Sequence, residues 1–156
     1  MGIFKSNKEK TSKIKNTIKT SEKTNVSLKE GFRVIQDDRV VGKHLMANLY
    51  KIDKLTISNK EFVKKILEEA LSEGNIGFSE IKVYPQSTPK SCTSMLGLLQ
   101  EGHVALHTWI SYEYATIDIF ITGGSADPEK AIMYVIKNFR PERHEIFTAD
   151  RTQKRV

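Results

Sequence analysis

Three strand-like runs, Met95 to Gln100, His103 to Trp109 and Tyr114 to Thr122, follow one another with only a few residues between them. Connectors that short cannot carry the crossover a parallel pair needs, so the runs read as antiparallel neighbours. An earlier run, Phe78 to Tyr84, reaches them through a Pro-, Ser- and Thr-rich loop at 85–90. Another, Val41 to Ile52, is mostly apolar with partial alternation. Two helices fit between these strands. In the first, Ser58 reads as the N-cap, with Glu61 completing a capping box. Phe62, Val63, Ile66, Leu67, Ala70 and Leu71 then recur at helical spacing, and Gly74 stops the helix. In the second, Asp127 caps, Pro128 takes the first turn, and Ala131, Ile132, Val135, Ile136 and Phe139 form one apolar face. A short strand around Glu145 to Phe147 closes the domain. The order β-α-β-β-β-β-α-β predicts an α+β fold, a two-layer α/β sandwich with a mainly antiparallel sheet and two helices on one face.

Charge separates this domain from what precedes it. The chain carries a net +6 over 156 residues, and residues 1–30 hold eight lysines against three glutamates. Residues 1–38 therefore read as a basic, disordered tail, 39–150 as the folded domain, and 151–156 as a basic end. Such a tail is most simply a solvated one; it also suits RNA, DNA or an anionic lipid surface. Met1-Gly2-Ile3-Phe4-Lys5-Ser6 fits the short N-myristoylation pattern. No apolar run is long enough to span a bilayer. Cys92 is the only cysteine, which excludes an internal disulfide and fits a cytoplasmic protein. One cysteine and four scattered histidines argue against a structural zinc, and no metal is expected.

The chemically dense segment is Glu101-Gly102-His103-Val104-Ala105-Leu106-His107-Thr108-Trp109. On a strand, His103, Ala105, His107 and Trp109 share one face, and Val104, Leu106 and Thr108 the other. Two histidines on one face suit metal ligation, catalysis or ligand binding, or a hydrogen-bonded structural role. Asp118, between Ile117 and Ile119, reads by itself as a structural carboxylate.

His103 to Trp109, with Tyr112 and the run Tyr114 to Phe120, resembles the E-S-H-x-x-I-H-T-W-P-E-Y-G-Y-A-x-x-D-x-F-x-C block of the small bacterial and archaeal S-adenosylmethionine decarboxylases. Gly42-Lys43-His44-Leu45 resembles that family's opening G-x-H-L strand, and the likeness covers roughly residues 40–148. The resemblance implies an enzyme of spermidine synthesis, a lyase that makes its own cofactor. In the family, a serine hydroxyl attacks the carbonyl of the preceding glutamate, and β-elimination from the ester leads to a pyruvoyl group. That carbonyl forms a Schiff base with the substrate and takes up the electrons released by decarboxylation.

Carried over residue by residue, Glu101 matches the glutamate before the cut and His103 the histidine that follows the cut position. His107 matches the processing histidine, and Ser94 the Ser or Thr of a G-V-[ST]-G loop. Gly102 stands in the serine's place, with no hydroxyl to attack and no β-carbon from which to eliminate. Thr122 stands where the family has its proton-donating cysteine, and a hydroxyl is a far weaker acid than a thiol. Ile110, Ser111, Glu113, Cys92 and Met95 also depart from the pattern.

The resemblance therefore points to a member without a pyruvoyl cofactor, a ligand-binding or regulatory pseudoenzyme. Trp109, Tyr112, Tyr114 and Asp118 would contact S-adenosylmethionine or a polyamine. The expected assembly is a homodimer, or a heterodimer with an active paralogue, in which two-layer protomers join into a larger sandwich. Two alternatives stand beside it: a decarboxylase working by a non-standard route, and a nucleic-acid or membrane adaptor acting through the basic tail.

Overall fold

The computed structural model describes residues 41–88 and 92–154. The basic tail and its myristoylation-like start lie outside the described residues. Six strands form one sheet: β1 (Lys43–Tyr50), β2 (Phe78–Tyr84), β3 (Thr93–Leu99), β4 (Gly102–Trp109), β5 (Tyr114–Ile121) and β6 (Arg143–Asp150). Their order is β2-β3-β4-β5-β1-β6, and every pairing is antiparallel. Residues 143–150 give a longer last strand than the short one expected, because β6 pairs with β1 along its whole length.

Alternation assigns the two faces. Leu45, Ala47 and Leu49 of β1, Val104 and Leu106 of β4, and Ala115, Ile117, Ile119 and Ile121 of β5 are all buried. They pack beneath the helices α2 (Lys60–Glu73) and α3 (Pro128–Phe139), which lie against each other. Helix α2 contributes Val63, Ile66, Leu67, Ala70 and Leu71 to this core; α3 contributes Ala131, Ile132, Val135, Ile136 and Phe139. Each large apolar side chain removed from water here stabilises the fold by about 1.5–3 kcal/mol.

The helix boundaries differ from expectation at one point. A five-residue helix, α1 (Lys54–Ser58), precedes α2 and is capped by Asp53, which accepts from the Thr56 N–H at 3.0 Å. Ser58 therefore ends α1 and does not cap α2. Asn59 does so, accepting from the Phe62 N–H at 3.1 Å. Both side chains can cap, and the extended backbone at Asn59 (φ −82°, ψ 93°) decides which one does. Asp127 caps α3 as expected, with Pro128 in the first turn. The end of α2 meets the start of α3 at Gly74, whose carbonyl accepts from the Asp127 N–H at 2.8 Å. A β-carbon on Gly74 would lie 2.6 Å from the Asp127 carbonyl oxygen, so close approach requires glycine there.

Candidate functional site

Among the described residues no helix lies over the second face of the sheet, which gathers the polar and aromatic residues. Strand register places them in rows. One row runs Ser94, His107, Thr116, Asn48, Glu145. The row at the β4–β5 turn runs Trp109, Tyr114, Tyr50, Arg143. The row at the opposite end runs Leu98, His103, Phe120, His44, Ala149, and Asp118 lies one row in from it.

Ser94 and His107 are cross-strand partners on β3 and β4, and the serine Oγ lies 2.9 Å from His107 Nδ1. The Cys92 Sγ lies 3.3 Å from the same Oγ and 4.0 Å from the same Nδ1. The His107 ring faces Trp109 at 5.9 Å between centroids, Trp109 faces Tyr114 at 5.4 Å, and Tyr114 faces Tyr50 at 5.1 Å. The Arg143 guanidinium sits 3.8 Å over the Tyr50 ring. The result is a ladder of half-buried rings ending in a cation, a surface suited to stacking a flat or cationic ligand. Burial raises the Tyr114 phenol above its ordinary pKa, reinforced by Tyr50 and Glu145, so it stays a neutral hydrogen-bonding group. Glu145 is held below the ordinary carboxylate range by the hydrogen bond from the Tyr50 hydroxyl, 2.9 Å long, and by Arg143. Tyr112 stands on a short 3-10 turn, Ile110–Tyr112, and is exposed outside the ladder.

Further along the same face, His44 Nε2 lies 3.8 Å from Asp118 Oδ1 and has no hydrogen-bond partner among the described residues. Burial lowers the His44 pKa more than the Asp118 carboxylate raises it, with Arg151 and His103 adding to the lowering. The His44 and His103 rings both pack edge-on or tilted against Phe120, at 5.9 and 5.5 Å. His44, Asn48, Tyr50, Phe120 and Arg143 were not among the residues read as functional from the sequence. The period-two pattern of β1 and β5 was the signal that could have placed the first four on this face.

Glu101, Gly102 and Thr122 form a separate constellation at the β3–β4 hairpin. The Glu101 carbonyl oxygen accepts from the Thr122 N–H at 2.7 Å and from the Thr122 hydroxyl at 2.9 Å. Two converging donors polarise a carbonyl. Gly102 offers that carbonyl no nucleophile. A β-carbon built on Gly102 would lie 1.8 Å from the Phe120 carbonyl oxygen on β5. The residues present thus do not fit a pyruvoyl group at this position. His107 is five residues further along β4, about 17 Å at the usual strand rise. The structure therefore brings Ser94, His107, Trp109 and Tyr114 together and keeps them apart from Glu101, Gly102 and Thr122. Among the described residues, no group of three or more His, Cys, Asp or Glu side chains is placed to hold a metal.

The chain is 33% identical over 126 residues to the arginine decarboxylase proenzyme of Hyperthermus butylicus, covering 81% of this chain and 89% of that one. It is 32% identical over 135 residues to the arginine decarboxylase proenzyme of Ignicoccus hospitalis, covering 86% and 90%. The crystal structure of adenosylmethionine decarboxylase from Aquifex aeolicus superposes with a TM-score of 0.67 at 25% identity, over 75% of this chain and 95% of that one. The family model for S-adenosylmethionine decarboxylase matches residues 43–152, from the first residue of β1 to just past the end of β6, and the chain belongs to that family.

Proposed function

We propose that this chain is a decarboxylase-family protein that stays uncut and binds a ligand without decarboxylating it. The carrying observation is Gly102, which follows a carbonyl that Thr122 polarises with two donors yet presents no side chain to attack it. The ligand surface is the ring ladder of Trp109, Tyr114 and Tyr50, with Ser94 and His107 in the next row and Asp118 and His44 two and three rows from the ladder. Its chemistry suits S-adenosylmethionine, arginine or a polyamine, each of which carries a cation that aromatic faces and carboxylates attract. Large half-buried side chains on this face, among them Met46, Phe120 and Phe147, favour its being covered by a second chain, as a homodimer or with an active paralogue.

A second reading is supported by the names of the relatives: a proenzyme that cleaves itself and decarboxylates arginine or adenosylmethionine. Intact mass under denaturing conditions separates the two. A single full-length species is expected; two fragments, one of them beginning with a pyruvoyl group made from one of the chain's serines, would establish the second reading. Trp109 is the only tryptophan, so its fluorescence reports binding directly. Titration with S-adenosylmethionine, arginine and spermidine should shift it for at least one of them, and silence with all three would remove the ligand-binding claim.

A further inference from the structure

We infer that Gly102 is required by the β4–β5 ladder, so that returning a serine to this position does not restore self-cleavage. The inference rests on the reading of the chain as uncut, and it names the obstacle: backbone packing in addition to a missing hydroxyl.

Gly102 pairs with Ile121 across the ladder, and its neighbour His103 pairs with Phe120. This brings the Phe120 carbonyl against the Gly102 α-carbon. A β-carbon there would lie 1.8 Å from the Phe120 oxygen, 2.8 Å from its carbonyl carbon and 3.2 Å from the Ile121 α-carbon. All three are backbone atoms of a central strand, so none can swing aside as a side chain could. The φ of Gly102 is +159°, at the margin of the extended region, so the exclusion comes from the neighbours more than from the dihedral.

The flanking contacts hold this geometry in place. The Thr122 N–H and hydroxyl both bond the Glu101 carbonyl, and the Glu101 carboxylate fills the space a side chain on Gly123 would need. In the turn itself, the Gln100 N–H donates to the Gly77 carbonyl at 2.7 Å. A serine at 102 must push β4 off β5 at this end, and that shift breaks the two Thr122 bonds that polarise the carbonyl. The hydroxyl would thus arrive as the donors leave.

The test uses the full-length protein with Gly102→Ser, Gly102→Ala and Gly124→Ala, the last a control with open space around its α-carbon. Each is followed by intact mass and by thermal melting. The expected result is that both Gly102 variants remain uncut and melt at least about 5 °C below wild type, or fail to fold, while Gly124→Ala stays within about 2 °C. Cleavage of Gly102→Ser between residues 101 and 102 would overturn the inference, and so would a wild-type melting temperature for Gly102→Ala. If Gly102→Ser is cut while the wild type is whole, the inference fails and the uncut reading stands. If the wild type is itself cut, that reading fails first.

Discussion

The two faces of the sheet are written by alternate residues of the same strands, yet they carry different loads. On β5, Ala115, Ile117, Ile119 and Ile121 go under the helices and leave no exposed apolar surface. Tyr114, Thr116, Asp118 and Phe120 point the other way and stay half-buried, among rings, imidazoles and carboxylates. The helix-covered face is apolar throughout, apart from Thr93 and Thr108 among its buried residues. The open face mixes apolar rings with paired polar groups, such as Ser94 with His107 and Tyr50 with Glu145. An apolar face gains stability from burial with little regard to side-chain orientation, whereas a polar face depends on which groups meet.

The largest expected contrast is between neighbours on β5. Ile117→Ala should cost about 2–5 kcal/mol in urea unfolding, as a buried aliphatic truncation does. Thr116→Ala should cost less than about 1 kcal/mol. A Thr116→Ala loss as large as that of Ile117→Ala would erase the distinction between the two faces. Next comes ligand affinity. Trp109→Phe keeps a ring at the centre of the ladder, while Trp109→Ala removes it and should weaken binding about tenfold or more, equivalent to roughly 1.4 kcal/mol; calorimetric titration with the ligand that shifts wild-type fluorescence would read this. Equal affinities for the two variants would move the site off the ladder.

Smaller still is the Ser94–His107 contact. Ser94→Ala should lower stability by about 0.5–1.5 kcal/mol, the usual worth of one hydrogen bond, and a double-mutant cycle with His107→Gln should show the two residues to be coupled. A coupling energy near zero would mean that the 2.9 Å contact does not persist in solution.

The smallest effect concerns pH. The folded-state pKa of His44 lies below its unfolded value of 6.5, so between the two values the unfolded chain binds more protons. Stability from this residue is complete above pH 6.5 and is lost as the pH falls through the window below it. Melting temperature should drop on acidification from pH 7.5 to 5, and His44→Gln should flatten part of that drop. An unchanged profile in His44→Gln would assign the acid sensitivity elsewhere, for example to Glu145, whose depressed pKa acts in the same direction at lower pH.

Strand parity was legible in the sequence because a period of two needs no tertiary information. His103, Ala105, His107 and Trp109 fall on one face and Val104, Leu106 and Thr108 on the other, as the alternation requires. Helix α3 was equally legible, since Asp127 and Pro128 mark its start and its apolar spacing is regular. The start of α2 was not. Ser58 and Asn59 are adjacent capping residues, and the choice follows from α1, a five-residue helix too short to leave a periodic signal. The extent of β6 was also hidden, because alternation in Arg143 to Asp150 is weak and its length comes from pairing with β1.

The sequence by itself determined that position 102 has neither hydroxyl nor β-carbon, and that one strand face collects two histidines and a tryptophan. These follow from residue identity and local period. Only the tertiary structure decided that Ser94 meets His107, that His44 approaches Asp118, and that the Phe120 carbonyl closes over Gly102. Each of those depends on register between strands distant in sequence. Register is set by the burial of whole strands against the helices, a property that no single residue carries.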